Sequence, residues 1–428
     1  MARVRPALAG FAAAIALLAA LAPPPASAQT SAGSQTQLEL GRVRLLQAQG
    51  RLGEARELAG AILAREPNNA EILSTLANIE AEIGRPQRAA ALYDRAARVA
   101  PGDAGVRASA AYHARNTGGF VRLDPELQFR KGGDTEYILQ SLVEHPVTDA
   151  WRLFAGYDIN HVDTDAVTRP TGQTGGFEGQ RHRGQVGAQY AFEEGHTIRV
   201  AGHLNPETAG ASAAFRFVED DAATILSGEY RRPNWDYLEL LVNDGWRNQI
   251  AIERQQRLGA LFEAPSDGRL KFFVNRYGLE EIHDSARSWG FEGELSVQVG
   301  GLDSPFTVAY AVEAEYVTRK ARITEQDGDV VPVIDAKSRE VHELTLRYNQ
   351  FLIEPSTLPG GSPESMELEL YGGGAIDRLG RGGPVAGAVL TWHGPDSIDA
   401  EARADYVQNV GRDSPTSLTV GGYFIWRY

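Results

Sequence analysis

The pattern of apolar and polar positions changes once along this chain, at Gly118-Gly119. Before that point apolar residues recur at helical spacing. From Phe120 onward they alternate with polar residues, and Gly, Pro, Asn and Asp clusters interrupt the alternation. The alternating segments predict about sixteen antiparallel strands, among them one at 257–264. The pattern therefore predicts an all-β transmembrane barrel over residues 118–428, preceded by an α-helical region.

The helical region contains a repeat of 34 residues. Five residue types recur at this interval: Gly50 and Gly84, Arg51 and Arg85, Ala55 and Ala89, Leu58 and Leu92, Pro67 and Pro101. Helices are predicted near 36–49, 53–65, 70–83, 87–99 and 104–116, an arrangement that resembles the tetratricopeptide repeat. So short a solenoid needs a neighbour to cover it. We expect the arm, residues 29–117, to lie on the periplasmic mouth of the barrel or on another protein, with a simple spacer as the alternative.

The last predicted strand carries apolar residues at every second position and ends on an aromatic residue. One face of this strand consists of Leu418, Val420, Gly422, Phe424, Trp426 and Tyr428. Such a terminal strand is typical of outer-membrane barrels, so we expect the barrel assembly machinery to bind the strand that ends at Tyr428. A soluble β-sandwich is the alternative.

Carboxylates occupy the opposite face of several strands. Because a carboxylate in contact with hydrocarbon is costly, this face should line the lumen, and the apolar face should contact outer-membrane lipid. Ten acids are predicted to line the lumen and to bind the transported substrate: Glu292, Glu294, Glu313, Glu315, Glu343, Glu367, Glu369, Asp399, Glu401 and Asp405. The prediction is a water-filled pore with an acidic lining.

Three long polar segments and one apolar segment interrupt the strands. Asp163–Arg183, Arg322–Ala336 and Glu354–Pro363 are predicted to be extracellular loops, since long loops lie on that side in such barrels. Residues 231–246 do not alternate. Asn234 can cap a helix there and Gly245 can end it, so the segment predicts a short helix. That helix either narrows the pore or lies on the surface.

The first residues have the order of a secretory signal peptide. Arg3 and Arg5 precede an apolar run from Leu8 to Leu21, and Ala26-Ser27-Ala28 offers a cleavage site after residue 28. A membrane-anchoring helix is the alternative. The chain has no cysteine, which excludes disulfides and lipidation of an N-terminal cysteine. Residues 120–428 hold 29 Lys/Arg against 47 Asp/Glu, which argues against a nucleic-acid partner.

Two segments of the barrel region resemble the Pel-type exporter of bacterial exopolysaccharide. They are YRRPNWDYLELLVNDGWRNQIAIERQQRLG at 230–259 and NRYGLEEIHDSARSWGF at 275–291. The poly-N-acetylglucosamine exporter is similar in architecture, combining an arm and a barrel. The resemblance implies an outer-membrane location, a periplasmic arm, and passive export of a cationic amino-sugar polymer through an electronegative lumen. Those exporters carry many more repeats, which puts recruitment of sugar-modifying enzymes by this arm in doubt.

No catalytic or metal-binding constellation stands out in the sequence. The nine histidines are scattered, and no nucleophile elbow or phosphate-binding context is found. We therefore predict a transport protein rather than an enzyme, with no cofactor, whose partner is a polysaccharide, together with a possible periplasmic protein on the arm. Two alternatives stay open. One is a plugged barrel that acts as a surface receptor or assembly anchor, and the other is a general diffusion porin.

Overall fold

We describe the fold from a computed structural model of the chain. It covers residues 32–428 except 131–133, 193, 263, 302–303, 326–327, 355–363, 395–396 and 409–415. The predicted signal peptide, residues 1–28, lies outside the described residues. None of the described helices is long and apolar enough to cross a membrane.

The N-terminal arm consists of five helices. They are α1 (Ala32–Ala48), α2 (Leu52–Arg65), α3 (Ala70–Ile83), α4 (Pro86–Val99) and α5 (Ala104–Thr117). Local sequence sets their ends. Asn69 caps α3 by accepting hydrogen bonds from the backbone N–H groups of Glu71 and Ile72. Gly84, with a φ of 97°, ends α3 in the left-handed conformation that glycine tolerates best.

A closed antiparallel barrel of sixteen strands follows the arm. Its strands are β1 (Phe120–Arg130), β2 (Thr135–Pro146), β3 (Trp151–Thr168), β4 (Thr174–Ala191), β5 (Thr197–Leu204), β6 (Ala209–Val218), β7 (Ala222–Pro233), β8 (Trp246–Arg257), β9 (Ser266–Gly278), β10 (Ala286–Val299), β11 (Phe306–Lys320), β14 (Arg339–Ile353), β15 (Ser365–Asp377), β16 (Gly382–His393), β17 (Ile398–Gln408) and β18 (Thr416–Arg427). The remaining elements lie in connections: α6 (Leu238–Val242), α7 (Gly259–Phe262), β12 (Arg322–Thr324) and β13 (Val330–Pro332). The predicted fold class is confirmed.

The barrel closes where its first and last strands meet. Phe120 pairs with Arg427 and Phe129 pairs with Leu418, so no edge strand is left. Since every neighbouring pair is antiparallel, the strand ends alternate between two mouths. The mouth at which β1 begins and β18 ends carries the arm, and we call it the arm-side mouth.

The outer face of the barrel is apolar. On β18 the exposed fractions of Leu418, Val420, Phe424 and Trp426 are 39, 43, 42 and 49%. The alternating neighbours Thr419 and Tyr423 point inward. So large a continuous apolar surface is stable only in contact with lipid.

The structure corrects several sequence predictions. The predicted strand at 257–264 is absent from the described residues: Arg257 ends β8, and the chain turns as α7 at Gly259, which lies directly against the backbone of Gln49 in the arm. Asp163–Arg183 is not a loop, since it consists mostly of the paired ends of β3 and β4. Backbone hydrogen bonds join these ends, and such bonds form without an alternation of apolar side chains in the sequence. Of the predicted loop Glu354–Pro363, residues 355–363 lie outside the described residues. The described strand ends on either side, Ile353 of β14 and Ser365 of β15, are at the arm-side mouth, which contradicts the predicted extracellular position.

The predicted helix at 231–246 is much shorter than expected. Only Leu238–Val242 is helical. The side chain of Asn234 accepts a hydrogen bond from the Asp236 backbone N–H at 3.0 Å, which forms a local turn instead of a helix cap.

The arm lies on the turns of the barrel. Asp220, in the β6–β7 turn, pairs with Arg56 at 2.7 Å and with Arg85 at 3.0 Å. The backbone N–H of Gly53 donates to Asp221 at 3.1 Å, and Val218 of β6 joins the apolar core of the first arm helices. Together with contacts from Gln87 to the Asp149 and Ala191 carbonyls, these place the arm on the β2–β9 half of the rim.

Candidate functional site

The ten predicted carboxylates all lie on strand faces that point into the barrel. They alternate with exposed apolar residues such as Leu344, Leu346 and Leu370. Side chains on this inner face contact strands that are not neighbours, as when Arg347 of β14 reaches Glu294 of β10 at 3.4 Å. The structure divides the ten residues into three groups with different surroundings.

One group is neutralised by cationic partners. Its pairs are Glu292 with Lys271, Glu294 with Arg347, Glu313 with Arg339, and Asp399 with Arg427. Asp399 also contacts the Nδ1 atom of His393 at 2.9 Å, and it is 5% exposed. Three of these pairs join neighbouring strands, and the pair of Glu294 with Arg347 spans from β10 to β14. All four leave little free charge for a substrate.

Glu315 forms a group by itself. It is 2% exposed, so it does not face open solvent. Its Oε1 atom accepts hydrogen bonds from Tyr277 at 2.8 Å and Ser288 at 2.7 Å, and its Oε2 atom accepts one from Tyr237 at 3.1 Å. Several donors make burial of this carboxylate tolerable. Glu315 therefore anchors Tyr277 of β9, Ser288 of β10 and Tyr237 of the loop that follows β7.

The remaining five acids form one surface, which we call the acidic wall. It consists of Glu343 on β14, Glu367 and Glu369 on β15, and Glu401 and Asp405 on β17, around a space of about 480 Å³. Among the described residues, Glu343, Glu367, Glu369 and Glu401 have no cationic side chain within ion-pair distance. A lumenal surface with this excess of negative charge attracts cations.

Strand β16, which lies between β15 and β17, explains the shape of the acidic wall. In the register of the sheet, Thr391 of β16 lies beside both Glu367 and Glu401, so β16 separates two rows of acids with uncharged side chains. At Gly387, further along β16, a side chain would collide with the Tyr371 ring. This gap lets the Tyr371 hydroxyl reach across and donate to Asp405.

Three residues of this surface were absent from the predicted site. Arg347 and Arg403 bring positive charge, and Tyr371 fixes Asp405. All three share the inner face with predicted acids, so alternation alone indicates that they face the lumen. What the sequence does not indicate is their partners: Arg403 pairs with Glu126 of β1 at 2.5 Å, across the closure of the barrel.

The opposite side of the lumen is electrically balanced. Arginine and aspartate or glutamate alternate there as ion pairs. Examples are Arg183 with Asp158 at 2.7 Å, Arg247 with Glu229 at 2.8 Å and Arg269 with Glu253 at 2.9 Å. The acidic excess is therefore concentrated on β14–β17 instead of being spread around the pore.

A lid extends across the mouth that faces away from the arm. We define the lid as the α6 loop, residues 234–245, together with residues 321–325 and 328–338, which include β12 and β13. In the α6 loop, Leu240 packs with Val333 and Ile334 of the second segment. The helix also packs on β3, through Leu241 against Val162.

Further contacts join the lid to both sides of the barrel. Tyr237 binds Glu315 on β11, whereas Arg181 on β4 donates to the Val242 carbonyl at 3.1 Å. Thr174, also on β4, donates to Glu325 at 2.6 Å. Six strands separate β4 from β11 in one direction and eight in the other, so these contacts bridge nearly opposite walls. Burial raises the pKa of Asp244 at the end of the loop, although Arg181 opposes the shift.

The described residues contain no cluster of three or more His, Asp or Glu side chains arranged to hold a metal ion.

Comparisons with known proteins agree with this architecture. Residues 46–111 match the tetratricopeptide repeat family model. A bacterial polysaccharide outer membrane secretin superposes with a TM-score of 0.52 at 12% identity, over 73% of this chain and 99% of that one. OprB from Pseudomonas putida has a TM-score of 0.38 at 8% identity, over 75% of this chain and 96% of that one. No curated protein sequence is significantly similar.

The fold and its two faces define a class of protein. A closed barrel with a lipid-facing exterior and a polar, charged interior is the architecture of an outer-membrane pore, and the tetratricopeptide arm then lies on the periplasmic side. The polysaccharide secretin shares this fold with the chain.

Proposed function

We propose that this protein is an outer-membrane pore for the export of an exopolysaccharide, and that the polymer is a cationic amino-sugar chain. The observation that carries the proposal is the acidic wall, where Glu343, Glu367, Glu369 and Glu401 face the lumen without a cationic partner among the described residues. Like charges in a shared space repel one another, and a passing ammonium group relieves that repulsion.

The chemistry of the wall suits movement better than tight binding. Its carboxylates lie on three different strands and are accessible from a wide space. Each attracts a cationic group weakly, so a polymer can exchange one contact for the next without being trapped. The barrel fold shared with a polysaccharide secretin supports the same proposal.

The position of the arm supports a defined route of entry. The arm rests on the β2–β9 half of the periplasmic rim, whereas the acidic wall belongs to β14–β17. A polymer that arrives beside the arm therefore meets the acidic side of the lumen first.

The experiment is an ion-selectivity measurement in planar bilayers. The test variant replaces Glu343, Glu367, Glu369 and Glu401 with glutamine. At about 8 Å in a water-like medium one carboxylate attracts a unit charge by about 0.5 kcal/mol, and 0.1 M salt roughly halves this. Four carboxylates together contribute about 1 kcal/mol, so the cation concentration at the wall should fall about fivefold.

The matched control carries Glu280→Gln and Glu281→Gln, which removes charge from an exposed loop between β9 and β10. The wild type and the control should be cation-selective in open-channel events, and the fourfold variant should lose most of that selectivity. A chito-oligosaccharide with free amines should block the wild-type current, whereas its fully N-acetylated form should not. Anion selectivity of the wild type, or equal block by both sugars, would contradict the proposed substrate.

The lid favours a second candidate function, a closed surface receptor or assembly anchor. In the structure the lid contacts nearly opposite walls at the extracellular mouth. Under this hypothesis the lid is permanent and no open-channel events are seen under any condition. Brief openings with cation selectivity would instead support the exporter.

A further inference from the structure

Helix α1 of the arm presents two leucines to solvent. Leu38 is 71% exposed and Leu45 is 48% exposed. They are seven residues apart and therefore lie on one face of the helix. Between them, a side chain added at Gly41 would meet no atom within 4 Å. We call Leu38, Gly41 and Leu45 the α1 stripe.

The 34-residue repeat shows what covers the same positions elsewhere in the arm. One repeat further on, Ile72 and Ile79 of α3 are both 0% exposed. Two repeats further on, Val106 and His113 of α5 are 5% and 8% exposed. The α1 stripe is thus the one copy of this surface that the described residues leave uncovered.

In both buried copies the cover is the second helix of the preceding repeat. Ile72 and Ile79 share an apolar core with Ala55, Ala59 and Ile62 of α2. Val106 packs with Ala96 of α4, and the His113 ring lies 5.1 Å from the ring of Tyr93, also on α4. The covering helices contribute small side chains to these contacts, Ala55 and Ala59 on α2 and Ala96 on α4. These alanines allow the two helices of each interface to approach closely.

We propose that the α1 stripe is a docking surface for another protein, and that the occupant is the second helix of a helical repeat in that partner. The argument is continuity: the arm already contains two interfaces of this kind, at α2–α3 and at α4–α5, and the stripe repeats their apolar face in the same register. The partner would extend the solenoid end to end. This proposal is independent of what passes through the barrel.

A second copy of the chain fits this surface less well. Two α1 stripes facing each other would place leucine against leucine, and each would offer one small residue, Gly41, where α2 offers both Ala55 and Ala59 to Ile72 and Ile79. Arg42, exposed beside the stripe, would also approach its own copy. Self-association is therefore an outcome that would overturn the proposal.

The test places a photo-cross-linking amino acid in the full-length protein in its native cells. Positions 38 and 45 are compared with position 99, because Val99 is also an apolar exposed residue of the arm but lies off the stripe. Adducts are expected at 38 and 45 and not at 99, and the cross-linked peptide should map to the second helix of a repeat in a helical-repeat protein. An adduct with a second copy, with a protein lacking such repeats, at all three positions alike, or no adduct at all would overturn the proposal.

A charged variant separates docking from folding. With the cross-linker at position 45, Leu38→Asp should lower the adduct yield at least tenfold and leave the thermal midpoint of the arm unchanged, since Leu38 is exposed. Val99→Asp is the matched control and should lower neither.

A purified chimera tests the surface without the partner. A second copy of residues 70–103 is inserted ahead of residue 36, which keeps the 34-residue register and places a copy of α4 before residues 36–48 of α1. The midpoint of helix unfolding, followed by circular dichroism, should rise, and Leu38→Asp should abolish the gain. A chimera that is no more stable than the parent would contradict the proposed fit.

Discussion

Replacing Tyr237 with phenylalanine removes the hydrogen bond from the lid to Glu315 on the wall of the barrel. The Tyr237 hydroxyl donates to Oε2 of Glu315 at 3.1 Å, and its ring packs edge-on against Tyr277 with centroids 5.2 Å apart. Phenylalanine keeps the ring contact. Any change in the lid therefore follows from loss of the hydroxyl.

The free energy lost with this hydrogen bond depends on the surroundings of Glu315. A hydrogen bond to a charged group contributes about 1.5–3 kcal/mol. Because Glu315 keeps the hydroxyls of Tyr277 and Ser288 as donors, the carboxylate stays solvated by the protein and the lower end of that range applies. A loss of about 1.5 kcal/mol shifts the ratio of open to closed lid about tenfold toward the open form.

Single-channel recording and liposome swelling are the assays. The Tyr237→Phe variant should show roughly tenfold more open time than the wild type. Tyr277→Phe is the matched control, since it removes a hydrogen bond to the same carboxylate, but one that lies within the wall and does not hold the lid. Unchanged open time in Tyr237→Phe, or an equal increase in both variants, would refute the idea that this contact tethers the lid.

Three further predictions concern the arm and the last strand. Asp220→Asn removes a carboxylate held by Arg56 and Arg85, and should lower the free energy of arm unfolding by about 1–2 kcal/mol, measured by urea denaturation in detergent. Burial lowers the pKa of His113 below its usual 6.5, so the arm should lose stability as the pH falls below that value, and His113→Phe should abolish this dependence of the thermal midpoint. Deleting Tyr428 should lower the amount of barrel in the outer membrane, measured by heat-modifiable mobility, whereas Tyr428→Phe should not.

Local patterns in the sequence determined the elements and their faces. The 34-residue repeat predicts the arm helices because each repeat buries the same positions, as Ile72 and Val106 show. Alternation predicts which side of a strand meets lipid, since successive side chains point to opposite faces. Both are properties of residues close together in the chain, so no knowledge of distant partners is needed.

Only the tertiary structure decided which lumenal acids are free. Glu313 and Glu367 look alike in sequence, each a glutamate on the inner face of an alternating strand. Glu313 is neutralised by Arg339, 26 residues away, because the barrel places their strands side by side. Glu367 lies beside Thr391, so its charge remains. Pairing depends on the register between strands, which only the folded barrel shows.

The lid is a second feature whose contacts could not be predicted from the sequence. A short helix at α6 can be recognised from its apolar stripe. The contacts of its loop join residues that are far apart in the chain: 78 positions for the contact with β11 and 61 for the contact with β4. Such contacts arise only when the barrel brings opposite walls within reach of one loop. The sequence alone therefore determined an acidic-lined barrel with a helical arm, whereas the folded chain decided where the charge is left unpaired and how the mouth is covered.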